Sequence, residues 1–209
     1  MELDLNKKYK IILADPPWKY EFSRSHSRAI NDYETLERKE ICDFKIKDIA
    51  DDNSVLLIWI TFPKLDWAFD VIESWGFKYR TNAFTWIKKN KKDGSLFWGM
   101  GYYTRSNAEI CLLATRGKGI KVISHNVHSV VYSPVEEHSK KPDIVRDRIV
   151  ELFGDLPRIE IFARKPKNVL FDNESYKGWD MIGFDIDGVE LKESIEKLRK
   201  LYRQLELIK

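Results

Sequence analysis

Short apolar segments recur along the chain, separated by stretches in which apolar residues follow helical spacing. The apolar segments are rich in Ile, Val, Leu and aromatic residues and predict strands at residues 10–14, 54–60, 81–88, 108–115 and 158–163. Apolar residues at helical spacing predict helices over residues 64–75 and 142–153, which end at Gly76 and Gly154. Strands that alternate with helices predict an α/β fold with a mostly parallel sheet flanked by helices.

A different pattern occupies the last part of the chain, residues 189–209, beyond a predicted domain at residues 1–188. Its apolar residues recur at alternating steps of four and three, and they are Leu191, Ile195, Leu198, Tyr202 and Leu205. Such a stripe predicts an amphipathic helix of about five turns. We expect this helix to dock on the protein's own sheet, and the alternative is a homodimer formed through the same stripe.

Composition is compatible with one folded domain. The chain has 209 residues, of which 43% are hydrophobic and 13% aromatic, enough for a substantial core. The formal net charge is only +3, so attraction to nucleic acid would have to come from local basic patches.

Several classes of protein are disfavoured by the sequence. No apolar run approaches transmembrane length, and the charged start lacks the core of a signal peptide. Cys42 and Cys111 lie far apart, which favours a reduced, cytoplasmic setting. His125, His128 and His138 share one stretch without a further clear set of ligands, so we predict no metal site.

The tetrapeptide Asp15-Pro16-Pro17-Trp18 directly follows the first predicted strand. Open α/β sheets bind their ligands at such carboxyl ends of strands. The carboxylate of Asp15 and the carbonyl of Pro16 could each accept one N–H of an exocyclic amine, while the prolines keep these acceptors rigid. Trp18 would offer a stacking face for a base. The alternative is a simple Pro-Pro turn with an exposed aspartate and a core tryptophan.

Further segments accompany this motif in a definite order. They are residues 33–36, 56–61, 75–77, 84–88, 99–103 with Arg105, Asn107 and Glu109, 138–142, 159–164 and 178–179. Together with the motif they resemble the MT-A70 family of adenine N6-methyltransferases over residues 10 to 185. The resemblance implies a Rossmann-like class I methyltransferase fold and S-adenosyl-L-methionine as the cofactor.

The resemblance also assigns roles to individual residues. It implies cofactor contacts from a set of residues at strand ends and nearby loops: Ala14, Asp15, Lys141, Phe162, Arg164 and Asp185. Tyr33 would line the adenine pocket, and Asn107 and Glu109 would hold the active-site loop. Each role has a structural alternative, such as a solvated Lys141, an Arg164 that caps a turn, or an ion pair between Arg105 and Glu109.

Two departures from related proteins stand out. Many methyltransferases place a glycine-rich loop after the cofactor strand, whereas Arg164-Lys165-Pro166 stands here. Family members often carry an asparagine after the glycine that Gly183 matches, whereas Phe184 and Asp185 follow it here. Asp185 would then accept a hydrogen bond from a ribose hydroxyl.

Two segments combine basic and aromatic residues, at positions 19–28 and 88–105. Lysines suit phosphates and aromatic rings suit unstacked bases. Lys19, Lys88 and Arg105 are therefore candidate nucleic-acid contacts. The alternative for the second segment is a solvated lysine-rich hairpin whose aromatic side chains pack inward.

The expected reaction is direct transfer of a methyl group to N6 of adenine in nucleic acid. The alternative targets of methylation are other planar nitrogens, such as cytosine N4 or the amide of a protein glutamine. Asp15 and Trp18 favour adenine over both. A catalytically silent relative that binds nucleic acid is the non-enzymatic alternative. DNA is favoured over RNA because a compact chain without a recognition domain is typical of prokaryotic or phage DNA enzymes.

Overall fold

The structure of the protein is a computed structural model that describes residues 8–20, 35–136, 140–163, 174–183, 186 and 190–206, with only the backbone for 201–206. Tyr33, His138, Arg164 and Asp185 lie outside these residues. Within the described ranges, no helix combines the length and apolarity that crossing a membrane requires.

The described residues form one seven-stranded sheet, and its strands are ordered β5-β3-β4-β2-β1-β6-β7. The strands are β1 Tyr9–Ala14, β2 Ala50–Ile60, β3 Lys78–Lys89, β4 Ala108–Arg116, β5 Val130–Pro134, β6 Arg158–Ile161 and β7 Trp179–Ile182. β4 runs antiparallel to its neighbours β2 and β3, and the other pairs are parallel. The prediction of a mostly parallel sheet flanked by helices is confirmed.

Helices cover both faces of the sheet. They are α1 Arg38–Cys42, α2 Leu65–Ser74, α3 Ile144–Phe153 and α4 Leu191–Glu206, with short 3-10 segments at Ile46–Asp48, Phe62–Lys64 and Glu174–Tyr176. Residues of α1, α2 and α4 share one hydrophobic cluster with the sheet, while residues of α3 share a second cluster on the opposite face.

The alternating direction of side chains along the central strands explains why there are two hydrophobic clusters. In β1, Ile12 and Ala14 belong to the first cluster, and Ile11 and Leu13 belong to the second. Successive side chains of a strand point to opposite faces, so a strand covered on both sides is a continuous apolar run. The same rule accounts for the unbroken apolar half of β2.

The five predicted strands and both internal helices are present, with shifted ends. β2 and β3 begin four and three residues before their predicted starts, and β6 ends at Ile161 rather than residue 163. The sequence prediction missed β5 and β7. They have only five and four residues, and β5 lies at a sheet edge with exposed Val130 and Tyr132, so neither is a conspicuous apolar run.

The C-terminal helix α4 docks on the protein's own core, as expected. Leu191, Ile195 and Leu198 are buried in the first cluster, and Arg199 pairs with Asp48 at 2.5 Å. The side chains of Tyr202 and Leu205 lie outside the described part. The homodimer and the division of the chain at residue 188 stay predictions.

One edge of the sheet collects the residues of chemical interest. The carboxyl ends of β1, β2, β3 and β6 meet at this edge, which we call the carboxyl edge. Because β4 is antiparallel, its first residues lie there too. Asp15, Lys88, Glu109 and Phe162, which are far apart in sequence, therefore lie at the same edge.

A buried ion pair fixes α3 to the strand β6. The guanidinium of Arg146 donates two hydrogen bonds to Glu160, from Nε to Oε2 at 2.7 Å and from Nη2 to Oε1 at 2.9 Å. The same guanidinium pairs with Asp143 at 2.8 Å and lies 4.2 Å from the centre of the Tyr176 ring. This network holds the end of β6 against the loop that carries Lys141.

Replacing Arg146 with methionine should leave the Glu160 carboxylate buried without its main partner. Loss of one member of a buried pair typically lowers the free energy of unfolding by about 3–5 kcal/mol. Urea denaturation of Arg146→Met measures this loss. The double variant Arg146→Met/Glu160→Leu should be clearly more stable than the single one, and an equally unstable double variant would contradict the pairing.

Candidate active site

The Pro-Pro turn after β1 is fastened by backbone hydrogen bonds. The Trp18 N–H donates to the Pro16 carbonyl at 2.9 Å, and the Leu36 N–H donates to the Pro17 carbonyl at 2.8 Å. Proline fixes φ at both central positions. The turn therefore holds Asp15 in a defined direction at the carboxyl edge.

Trp18 anchors this turn in the core. Its side chain is only 6% exposed, and its indole N–H donates to the Trp59 carbonyl at 3.1 Å. This packing matches the core tryptophan named above as the alternative. A stacking role for the remaining exposed edge of Trp18 stays a prediction.

Four charged side chains form a chain of ion pairs beside the turn, which we call the charged quartet: Asp15, Lys141, Glu109 and Lys88. The Lys141 ammonium contacts Asp15 Oδ2 at 2.7 Å and Glu109 Oε2 at 3.4 Å, and Lys88 pairs with the other oxygen of Glu109. All four side chains are largely buried. Two positive and two negative charges alternate, so the quartet is electrically balanced.

Burial and charge act in opposite directions within the quartet. Burial disfavours the charged form of Lys141, but the charges of Asp15 and Glu109 outweigh it and raise the lysine's pKa above its ordinary value. Burial likewise opposes ionisation of Glu109, but Lys141 and Lys88 outweigh it and lower the pKa of the carboxyl. Both shifts favour the charged forms of Lys141 and Glu109 at neutral pH.

Two tryptophans lie beneath the cations of the quartet. The Trp59 and Trp86 rings meet edge to face, with centroids 6.5 Å apart. Lys141 Nζ lies 5.9 Å from the Trp59 centroid, and Lys88 Nζ lies 5.0 Å from that of Trp86. Sequence patterns assigned no role to either tryptophan. The available signal for a cation beside the Trp86 ring was Lys88, which lies two residues later on the same face of the strand.

The loop between β3 and β4 presents its aromatic side chains to solvent. Trp98 and Met100 are 71% and 86% exposed, and Tyr102 and Tyr103 are also exposed. The inward-packed alternative is therefore wrong for these side chains. Gly99 and Gly101 allow the loop to close on itself, since a Cβ there would lie 2.0–2.2 Å from a backbone oxygen.

Arg105 belongs to this exposed loop rather than to the quartet. Its guanidinium lies 4.5 Å from the centre of the Trp98 ring and contacts the Met100 sulfur at 3.7 Å. Glu109 pairs with Lys88 and Lys141 instead, so the proposed ion pair between Arg105 and Glu109 is wrong. Asn107 closes the base of the loop, where its carbonyl accepts the Lys88 N–H at 2.8 Å.

The end of β6 makes an unusual backbone turn. Phe162 has φ of 58°, in the left-handed region that a bulky side chain rarely adopts. Its ring packs in the core against Phe44 and Trp75. Gly183 lies against this turn, and a Cβ at Gly183 would meet the Ala163 carbonyl oxygen at 2.5 Å. The chain thus forms without a glycine the kind of tight turn that a glycine-rich loop usually provides.

Lys19 lies on the exposed side of the turn. Its ammonium pairs with Glu37 at 2.6 Å, and this contact raises the pKa of Lys19. Of the other predicted site residues, Ala14 ends β1 next to Asp15, while Tyr33, Arg164 and Asp185 are outside the described residues. Among the described residues, no group of three or more His, Cys, Asp or Glu side chains could hold a metal ion.

Comparison with known proteins bears on this geometry. The family model described as MT-A70 matches residues 9–183, which include every strand of the sheet. The chain belongs to the MT-A70 family. It is therefore a methyltransferase of a family of adenine N6-methyltransferases, and the family implies S-adenosylmethionine as the methyl donor.

Individual relatives of this MT-A70 protein fall into two groups. The type II methyltransferase M.MunI of Mycoplasma sp is 32% identical over 86% of this chain and 78% of its own length. The METTL3 catalytic subunit of N(6)-adenosine-methyltransferase from Homo sapiens is 25% identical over 91% of this chain but only 30% of its own length. A probable MT-A70-like N(6)-adenosine-methyltransferase of Oryza sativa subsp. japonica is 25% identical over 96% of this chain and 26% of its own length.

The lowered pKa of Glu109 predicts a specific dependence of stability on pH. Between the pKa of Glu109 in the folded protein and its ordinary value of 4.5, the Glu109 carboxyl binds more protons in the unfolded chain than in the folded one. The free energy of unfolding therefore rises with pH in this range. The contribution is complete above pH 4.5 and disappears as the pH falls through the folded pKa. Unfolding free energies of wild type and Glu109→Gln should therefore converge on acidification below pH 4.5. A Glu109→Gln curve that runs parallel to the wild-type curve would contradict the lowered pKa of Glu109.

Proposed function

We propose that this MT-A70 protein transfers a methyl group from S-adenosylmethionine to N6 of adenine in nucleic acid, with DNA as the preferred polymer. The observation that carries the proposal is the Asp15 carboxylate, which a rigid Pro-Pro turn presents at the carboxyl edge and Lys141 binds at 2.7 Å. Adenine N6 is an exocyclic amine with two N–H donors, which is the chemistry that such an acceptor site suits.

Asp15 and the Pro16 carbonyl are the proposed acceptors for the amine. The ammonium of Lys141 stabilises Asp15 in its ionised form, in which a carboxylate is an acceptor only. The Pro16 carbonyl already accepts the Trp18 N–H at 2.9 Å, and its second lone pair remains for the substrate. Two acceptors would orient the nitrogen so that its lone pair faces the methyl group.

Ion pairing with Lys141 holds the Asp15 carboxylate as a fixed hydrogen-bond acceptor. The carboxylate therefore orients the amine rather than removing its proton before attack. As the new N–C bond forms, the bond between the methyl carbon and the sulfonium sulfur would break and leave a neutral thioether. The nitrogen is then positively charged and strongly acidic, and it can release the proton to Asp15 or to water. This sequence needs no covalent intermediate on the protein.

The residues present fit the methyl donor. Its amino-acid carboxylate suits the Lys141 ammonium, and its nucleoside suits the tight turn at Phe162, where Gly183 leaves room for close backbone approach. Because the Phe162 ring is packed in the core, its contact would come from the backbone. Ala14, Asp15, Arg164 and Asp185 complete the proposed cofactor set. When bound, the cofactor supplies an electrophilic methyl group on its sulfonium.

The exposed loop between β3 and β4, together with the lysines that it carries, is the proposed contact surface for the polymer. Trp98, Tyr102 and Tyr103 offer stacking surfaces, and Arg105 adds a charge against the Trp98 ring. Stacking of aromatic side chains on unpaired bases combined with positive charge is the usual way to bind single strands or flipped bases.

Lys19 would contribute a phosphate contact on the exposed side of the turn. Tyr33 would line the adenine pocket, and Asn107 and Glu109 would hold the loop in place.

Two features of the comparisons support DNA as the polymer. The relatives named for adenosine, the nucleoside of RNA, are 24–25% identical, and the matched region covers 25–32% of their length. The more similar relative, the type II methyltransferase M.MunI, is 32% identical and matches over 78% of its length. RNA is the second candidate, and the adenosine-named relatives are the observation in its favour.

Replacing Asp15 with alanine should remove the proposed acceptor without removing the cofactor site. We expect transfer of labelled methyl to DNA to fall by at least about 10²-fold, the usual cost of losing a positioned polar group at a reacting centre. Cofactor affinity measured by calorimetry should fall far less than turnover, because Lys141, the proposed partner of the cofactor carboxylate, is still present. Asp52→Ala, at the opposite edge of the sheet, is the control. Equal losses of turnover and cofactor affinity for Asp15→Ala would contradict the acceptor role.

Replacing Trp98 with alanine should weaken binding of a single-stranded oligonucleotide. Loss of one stacked base costs about 1–3 kcal/mol, which corresponds to roughly 5- to 150-fold in affinity. Fluorescence anisotropy of a labelled oligonucleotide measures this change. Tyr79→Ala removes an exposed aromatic ring at the opposite edge and should bind like wild type. Equal affinities of Trp98→Ala and wild type would contradict a stacking role.

A further inference from the structure

Lys64 is a buried lysine for which the described part of the chain offers no carboxylate. It immediately precedes α2, and the residue is only 7% exposed. Asp66, the acidic residue in the first turn of α2, is exposed and forms no ion pair with it. Buried lysines are normally paired. A buried positive charge in this position therefore calls for a negatively charged partner.

Two aromatic rings hold the Lys64 side chain in place. Its ammonium nitrogen lies 3.5 Å from the centre of the Trp67 ring and 5.8 Å from that of Tyr20. Attraction to the faces of the rings offsets part of the cost of burial but leaves the net charge unchanged. The ammonium nitrogen is not among the described polar atoms that are both fully buried and without a hydrogen-bond partner.

The surroundings of Lys64 favour an anion. The N-terminus of a helix carries a partial positive charge and stabilises anions, whereas a cation placed there is unfavourable. α2 has ten residues, and no side chain caps its N-terminus. Lys64 adds a full positive charge at the same point, so a bound anion would stabilise both.

This position lies close to the proposed adenine site. Tyr20 follows Trp18 by two residues, and its hydroxyl is hydrogen bonded to the hydroxyl of Thr61. Thr61 in turn lies two residues beyond Trp59, whose ring is under Lys141. Two residues of extended chain span about 7 Å. A group bound at Lys64 would therefore be a neighbour of the target base along the carboxyl edge.

We infer that Lys64, held between Trp67 and Tyr20 at the start of α2, binds a phosphodiester of the nucleic acid next to the target adenine. This inference rests on the proposed function, because it takes the polymer to be the source of the anion. It adds a phosphate contact between the proposed catalytic turn and the aromatic loop, because β2, which leads to Lys64, lies between β1 and β4 in the sheet.

The test measures how oligonucleotide affinity depends on salt. Each phosphate contact contributes about 0.9 to the slope of log K against log salt on duplex DNA and about 0.7 on single strands. We expect Lys64→Gln to reduce the slope by about this amount in fluorescence anisotropy. Lys64→Arg keeps the charge and should retain the wild-type slope. Lys78→Gln removes an exposed lysine at the opposite edge and should also retain it.

A second measurement locates the phosphate and guards against a folding defect. Neutral methylphosphonate linkages replace the phosphates on either side of the adenine in the same oligonucleotide. They should reduce the slope of the wild type and have little further effect on Lys64→Gln. Unchanged slopes for both the variant and the neutral linkages overturn the inference. So does a Lys64→Gln protein with a wild-type slope and a lowered melting temperature, since Lys64 would then be purely structural.

Nucleoside mass analysis of the same samples separates this inference from the proposed function. N6-methyladenine formed by the wild type, with a slope that Lys64→Gln leaves unchanged, would preserve the adenine chemistry and overturn the phosphate site. A slope reduced in Lys64→Gln, without N6-methyladenine from the wild type on DNA or RNA, would support the phosphate site and overturn the proposed reaction.

Discussion

The ammonium of Lys141, buried between Asp15 and Glu109, is the contact on which the active site depends. It joins residues separated by 126 positions and connects the end of β1, the start of β4 and the loop before α3. Without it, two carboxylates would face each other in a largely dry setting, where like charges repel strongly. The direction of the Asp15 carboxylate, the proposed acceptor for the amine, is therefore set by a distant part of the chain.

Sequence alone predicted the parts of this site but not their assembly. Strand β1, the Pro-Pro turn and the individual residues Glu109 and Lys141 follow from local pattern and family resemblance. The Lys141–Glu109 contact depends on the reversed direction of β4, which apolar runs do not reveal because parallel and antiparallel strands buried on both faces have the same pattern. The turn at Phe162 was also hidden, because its left-handed backbone is formed without a glycine.

The charged side chains around the proposed catalytic turn differ in whether they are paired. The charged quartet contains two positive and two negative charges, whereas Arg105 and Lys64 form no ion pair with another residue in the described ranges. An adenine base is uncharged and a polynucleotide backbone is anionic, so a neutral centre within a basic rim matches both parts of the proposed substrate. This arrangement reconciles a small net charge of +3 with nucleic-acid binding.

The antiparallel strand β4 has a consequence for how such proteins diversify. Because β3 ends and β4 begins at the carboxyl edge, the segment between them leaves and re-enters the sheet at the same place, where the Lys88 N–H meets the Asn107 carbonyl. A longer, shorter or entirely different insert could be accommodated there without disturbing strand register or the residues that orient the amine. The residues proposed to orient the amine lie directly after β1, and the aromatic residues proposed to bind the polymer lie on a loop between two other strands, so the loop could change while the proposed reaction centre is kept.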